Sequence, residues 1–338
     1  MTYKPDIVIY HGPDCLDGFG AAWAIHNKWP EGVHYTPASY EQPLPSVQEI
    51  ADKHVLIVDF SYSASDLCAM GTTAASVVIL DHHKSAQAAL KQFDMATYQG
   101  GESRQHALDD PLALFHLLDK TQPFARLREL DLPPIIALFD MERSGAQLAW
   151  EFCHGSVLCR LLEHVADRDL WRFKLDGTRE ICAALASYPK EFALWDKFAE
   201  YCMIAELWQD GTAIVRANQM LIDGEVRYNT GWIRVDEFLV PSLNMVGVHA
   251  SETGHALLRA HSDAPFVVTW YSALDTTEGT THYSLRSDDS RQDVSEIAKR
   301  FGGGGHRNAA GFAISVRQGA LRSQQYISEI RARHTSCA

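Results

Sequence analysis

A chain of 338 residues exceeds what one hydrophobic core usually serves, so two domains are expected, and two domains leave room for a cleft. With 46% hydrophobic and 22% charged residues, and no apolar run near the roughly 20 residues of a membrane span, the composition is that of a soluble globular protein without membrane segments. A formal charge of -13 repels polyanions at long range, which argues against coating of long DNA or RNA duplexes and leaves short anionic ligands open.

The first ten residues, MTYKPDIVIY, hold one Lys before a short apolar run and no small-residue cleavage site. They are expected to form a first strand rather than a signal peptide, which places the protein in the cytoplasm. DIVIY from Asp6, HVLIVDF from His54 and SVVILD from Ser76 are Val/Ile-rich and of buried-strand length. Helix-like segments separate them: GFGAAWAIHNK from Gly18, and SASDLCAMGTTA from Ser63, with Ser63 or Ser65 as N-cap. Strand alternating with helix predicts a parallel α/β sheet. From about Pro111 to Ala166 the pattern turns helical, and Ser144 followed by Gln147 predicts a helix start. The aromatic stretch from Pro189 to about Met220 is helix-compatible and is expected to connect two domains. Beyond it GWIRVDEFLVPSLNMVGV, APFVVTWYSALD and THYSLRS alternate as strands, and VSEIAKRF runs as a short helix into GGGGHRNAAGF. The expected organisation is an α/β domain over 1–190, a helical linker over 191–222 and a smaller α/β domain over 223–338.

The polar residues fall where open parallel sheets bind ligands, at the C-terminal ends of strands. His11, Asp14 and Asp17 follow the first run, Asp59 ends the second, and Asp81, His82 and His83 end the third; HVADRDLW adds His164, Asp167 and Asp169. A lone Asp after a strand is usually a turn or cap, but three strands ending this way gather carboxylates that a divalent cation would neutralise. The seven cysteines contain no CxxC pair, so a disulfide framework or a structural zinc site is not expected. Asp and His donors without a thiolate pair favour Mn²⁺, Mg²⁺, Fe²⁺ or Co²⁺.

DHHK at Asp81 to Lys84 resembles the signature of the DHH phosphoesterases, and FGGGGHRNAAGF resembles their C-terminal DHHA1 substrate loop. The two occur in the family's order, and His11 to Gly18, Asp59 and DRDLW match its other metal-site motifs, so the resemblance spans nearly the whole chain. It implies a DHH catalytic domain with a helical layer followed by a DHHA1 domain. It also implies that Asp17, Asp59, His82 and Asp167 hold one metal ion, Mn²⁺ before other ions, with Asp59 bridging to a second held partly by His11. His83 would face the phosphate, with Asp81 beside it in the catalytic set. The family's Asp-x-Asp is here Cys15-Leu16-Asp17, preceded by Asp14. Either Asp14 replaces the missing ligand, or Cys15 is a soft ligand, or the second site is weak; a packed Cys15 is the plain alternative. His164 is expected to be a supporting or core histidine, and Arg168 and Asp169 an ordinary ion pair, with a direct role as the alternative.

On the substrate side, four consecutive glycines let backbone N–H groups approach an anion. Arg286, Lys299, Arg300 and Arg307 supply local positive charge. By resemblance, Arg286, Gly303, Gly304, Gly305, His306 and Asn308 are substrate contacts. Tyr40, Trp232 and Tyr271 are candidate base-stacking groups, although aromatics are more often core. The expected activity is metal-dependent phosphodiester hydrolysis on short oligonucleotides, with water as nucleophile and no covalent intermediate. An exopolyphosphatase or pyrophosphatase is the alternative, and a non-catalytic nucleotide-binding protein the third reading. The expected partner is thus a short phosphorylated substrate, oligonucleotide, dinucleotide or polyphosphate; a homodimer is compatible with the sequence.

Overall fold

The computed structural model describes residues 3–39, 43–94, 110–121, 123–155, 157–273 and 279–315. Tyr40 lies outside the described residues. The chain divides into two compact units, Met1–Ala217 and Asn218–Ala338, with the division inside the helix Tyr201–Asn229.

The first unit is built on a five-stranded sheet of β1 (Ile7–His11), β2 (His34–Ala38), β3 (His54–Val58), β4 (Ser76–Asp81) and β5 (Ile135–Phe139), in the order β2-β1-β3-β4-β5. Every pair is parallel. Near-continuous Val/Ile/Leu runs suit strands covered on both faces, and the two-residue alternation divides them between two cores. Val8, Leu56, Val58 and Leu80 face one core, which α1 (Leu16–Lys28), α3 (Gly145–His154), α4 (Arg160–Asp169) and α5 (Thr178–Ser187) complete; Ile9, Ile57, Val77 and Ile79 face the other, closed in part by α2 (Ala64–Gly71). Leu56 and Ile57 are fully buried, each contributing about 1.5–3 kcal/mol relative to exposure.

This strand order positions the site. From β1 the chain moves outward to β2, then returns to the other side of β1 to form β3, so connections diverge between β1 and β3. In doubly wound sheets that switch point opens a crevice at the carboxyl edge. His11 ends β1 and Asp59 follows β3.

Two strands depart from expectation. β2 is the edge strand HYTPA, half-exposed and containing Pro37, so it lacks an apolar signature. β5, IIALF, lies inside the stretch expected to be helical. A short apolar run cannot be told from a buried helical segment by periodicity, and here the sheet claims it. Helix starts were more legible: Ser63 accepts the Asp66 N–H, and Ser144 accepts the Gln147 N–H at 3.3 Å.

The second unit holds a six-stranded mixed sheet, β10-β11-β9-β8-β7-β6, formed by β6 (Gly231–Val235), β7 (Phe238–Asn244), β8 (Val267–Ala273), β9 (Thr280–Arg286), β10 (Gly304–His306) and β11 (Ala309–Ser315). Among its described pairs, only β7–β8 is parallel. α6 (Ala250–Ala260) packs Leu257 with Leu243 and Val267, while α7 (Val294–Arg300) packs Ile297 with Val268, Leu285 and Phe312. Among the described residues, no helix is long and apolar enough to cross a membrane.

Candidate metal centre

Each polar group at the sheet edge is placed by backbone. Cys15 N-caps α1, its Sγ accepting the Gly18 N–H at 3.4 Å, and Asp17 sits in the first turn. Asp17 is buried, and its carboxylate accepts the Gly145 N–H at 2.6 Å and the Ala146 N–H at 3.2 Å. These N–H groups belong to the first turn of α3, where the helix has donors without intrahelical partners and a positive field. Asp59 follows β3 with φ of 55°, a left-handed conformation that costs most residues but that Asp tolerates. Its amide donates to the Leu80 carbonyl at 2.9 Å, fixing it at the switch point.

Asp59 faces two groups of donors. Oδ1 lies 3.0 Å from His82 Nε2, which is in turn 3.8 Å from Asp17 Oδ2 and 3.6 Å from Asp169 Oδ2. Asp17, His82 and Asp169 each offer a ligand atom within 4.8 Å of the others. Oδ2 lies 3.5 Å from His11 Nδ1 and 3.5 Å from Cys15 Sγ. His11, Cys15 and Asp59 form a second set at the same mutual spacing.

The charges are strongly coupled. Burial, then the Asp169 and Asp59 charges, push the Asp17 carboxyl well above the ordinary range despite its N–H donors. Lost hydration and the Asp59 charge raise Asp169, with His82 opposing. Burial would raise Asp59 too, but hydrogen bonds from His11 and His82 hold it far below the usual carboxylate range. Burial disfavours charge on His82, yet Asp59, Asp169 and Asp17 outweigh it and raise its pKa; His11 is raised by Cys15 and Asp59 against the same burial. Three carboxylates and two imidazoles converging from strand ends and from two helices suit a divalent cation: hard oxygen donors, borderline nitrogen, and excess negative charge.

Asp81 is fully buried behind this group. Its Oδ1 lies 2.7 Å from His83 Nδ1 and accepts the His82 N–H at 2.8 Å, while Ser61 donates to Oδ2 at 2.6 Å. Burial would raise its carboxyl, but the adjacent His83 holds it below the ordinary range. Asp81 therefore orients His83 and fixes which ring nitrogen faces away.

Asp167 and Asp169 exchange the places expected of them. Successive helical residues turn by about 100°, so side chains two apart point nearly opposite ways. Asp167 turns from the cluster and accepts from Lys174 N at 2.8 Å, Leu175 N at 3.1 Å and Thr178 Oγ1 at 2.6 Å, pinning the turn that follows α4. His164 Nδ1 lies 2.9 Å from the same Thr178 hydroxyl, in a supporting position. Asp169, partly exposed, stands beside His82. Asp167→Asn is accordingly expected to destabilise the protein by about 1–3 kcal/mol in urea denaturation with metal uptake retained. Asp169→Asn is expected to cost no stability and to weaken metal binding in calorimetric titration.

Asp14 is exposed ahead of α1 and joins neither donor set. Gly145 and Ala146 carry no polar side chain to announce a role; the only sequence signal was the Ser144 cap, which marks where the first free N–H groups of α3 fall.

In the second unit, Arg286 Nη2 donates to Ser251 Oγ at 2.7 Å and Asn308 Nδ2 to Asp289 Oδ1 at 2.7 Å. The glycine run makes a tight sheet edge: Gly304, Gly305 and His306 pair with β11, and a Cβ at Gly303 would lie 2.0 Å from the Gly311 carbonyl oxygen. Gly302 and Gly305 hold φ of 83° and 134°, which favour glycine. The amides of Gly302 and Gly303 donate to the Lys299 and Ala298 carbonyls that end α7. Lys299 pairs with Glu296, Arg300 with Asp236, and Arg307 with Asp293 at 3.6 Å. Trp232 is largely exposed and edge-on to His261; Tyr271 stacks on His282 at 4.8 Å.

Fold and site together define a two-unit α/β protein with an acidic and imidazole centre at the switch point of its parallel sheet. No protein-family profile matches the chain. It is 27% identical over 332 residues to uncharacterized protein R106 of Acanthamoeba polyphaga mimivirus, spanning 94% of this chain and 69% of that one. Among solved structures it is similar to RecJ in complex with Mn²⁺ from Thermus thermophilus, with a TM-score of 0.45 and 16% identity over 96% of this chain and 52% of that one. It is also similar to the pGpG-specific phosphodiesterase PggH from Vibrio, with a TM-score of 0.40 and 14% identity over 96% and 99% of the two chains.

Proposed function

We propose that the chain is a divalent-metal-dependent phosphoester hydrolase of the DHH/DHHA1 type, acting on short oligonucleotides. The observation that carries this reading is the two-sided Asp59, one oxygen 3.0 Å from His82, which also meets Asp17 and Asp169, and the other 3.5 Å from His11 and Cys15. Asp17, Asp59, His82 and Asp169 would hold one ion, Mn²⁺ before others, and Asp59 with His11 a second. An ion bound there supplies Lewis acidity and lowers the pKa of water enough to make a nucleophile near neutral pH. His83, held at Nδ1 by Asp81, donates to a phosphoryl oxygen as charge develops on it. Arg286, Gly303 to Gly305, His306 and Asn308 are substrate-binding groups by the same resemblance. The net charge of -13 favours short substrates, since polyanion repulsion grows with length.

The test is product release from 5′-phosphorylated di- to pentanucleotides, cyclic dinucleotides, pyrophosphate and polyphosphate, each with Mn²⁺ and with EDTA. Mononucleotide release that EDTA abolishes is the expected result. Turnover confined to pyrophosphate or polyphosphate would reassign the protein as a phosphoanhydride hydrolase, and no retained metal at millimolar Mn²⁺ would defeat the metal centre itself.

A further inference from the structure

The two donor sets differ in chemistry. Asp17, His82 and Asp169 offer oxygen and nitrogen, whereas the other face of Asp59 meets a sulfur. Building on the metal-centre reading, we propose that His11, Cys15 and Asp59 Oδ2 form a thiolate metal site of tetrahedral type, which selects a softer ion such as Zn²⁺, Co²⁺ or Fe²⁺ over Mn²⁺ or Mg²⁺.

The separations carry the geometry. Around a tetrahedral ion with Zn–N and Zn–O near 2.1 Å and Zn–S near 2.3 Å, the N···O edge is about 3.4 Å and the S···O edge about 3.6 Å. An octahedral ion with bonds near 2.1 Å needs an O···N edge of about 3.0 Å. His11 Nδ1 and Cys15 Sγ each lie 3.5 Å from Asp59 Oδ2, so both of these edges match the tetrahedral case. Three protein donors leave the fourth position open, as catalytic zinc sites do. The sulfur is also fixed in place: Cys15 caps α1, and its Sγ accepts the Gly18 N–H at 3.4 Å. The opposite face of Asp59 has no sulfur donor within its set, so one carboxylate would join a hard site to a soft one.

Cobalt reports thiolate ligation directly. The full chain, stripped with chelator, is titrated with Co²⁺ and followed by near-ultraviolet absorption, alongside Cys15→Ser and Cys15→Asp. Ser retains the helix cap, so Cys15→Ser is expected to fold, checked by thermal unfolding. Wild type is expected to develop a sulfur-to-cobalt charge-transfer band saturating at about one equivalent, absent in both variants. The preference for Zn²⁺ over Mn²⁺ is expected to fall by at least about tenfold in Cys15→Asp. A band that persists in Cys15→Ser comes from another cysteine and overturns the proposal. Stoichiometric Co²⁺ without the band in wild type overturns it while leaving the metal centre standing. Co²⁺ that does not bind at all defeats both.

Discussion

Asp59→Asn is expected to lower metal-dependent hydrolysis on the order of 10²–10³-fold or more and to leave the fold intact. Asp59 belongs to the set with His11 and Cys15, and its other oxygen lies 3.0 Å from His82 of the neighbouring set, so on the proposed reading removing its charge while keeping its shape weakens two sites together. Asn is nearly isosteric and, like Asp, tolerates the left-handed backbone at φ of 55°. Its thermal midpoint in EDTA should therefore stay near that of wild type, relieved of like-charge crowding against Asp17 and Asp169 but deprived of the His11 and His82 partners. Asp59→Ala lacks that tolerance and should add about 1 kcal/mol of backbone strain to the same functional loss. Metal content by atomic spectroscopy, together with kcat/KM, checks both variants. An Asp59→Asn protein with activity within about tenfold of wild type would show that Asp59 does not bridge the centre.

The part of this site that was legible in the sequence is the part carried by strand ends. A buried parallel strand announces itself by composition, and a polar residue at its C-terminal end can be assigned to the ligand edge before any coordinates exist. His11, Asp59 and His82 fall in that class. Of the residues carried by helices, Asp17 is reached through its motif, but the pair on α4 is not told apart. Asp167 and Asp169 differ by two positions and have the same chemistry, but which one faces the sheet depends on the rotation of α4, set by how Leu161, Leu162 and Val165 pack into the core. β5 was hidden because five apolar residues read equally well as a buried helical turn. The glycine run is legible in the sequence as a place of close backbone approach. In the fold its glycines let β10 lie against β11, a demand that only pairing partners reveal.

The donors least visible in the sequence lead to the second large effect: Gly145→Ala is expected to destabilise the protein by about 1–3 kcal/mol and to disable the centre without touching any ligand. A Cβ at Gly145 would lie 2.3 Å from Asp59 Cβ and 2.7 Å from its Oδ1, separations no real Cβ adopts. Neither partner can yield easily. Asp59 is tied to the Leu80 carbonyl, and α3 is packed so closely on α1 that a Cβ at Gly20 would meet Ala146 Cβ at 3.1 Å. Relief therefore moves either Asp59 or the Gly145 amide that holds Asp17, and a shifted ligand shell typically weakens metal binding by about 10–100-fold. Intrinsic helix propensity predicts the opposite sign, since Gly→Ala in an unconstrained helix gains about 0.8–1 kcal/mol. Gly224, in the helix Tyr201–Asn229, is the matched control, because nothing lies within 4 Å of a Cβ built there. Thermal unfolding in EDTA should separate the two, with Gly224→Ala raising the midpoint and Gly145→Ala lowering it. A Gly145→Ala protein as stable as wild type and binding metal equally well would mean that α3 can back away from Asp59, and that Asp17 is not held by the N–H groups of that helix.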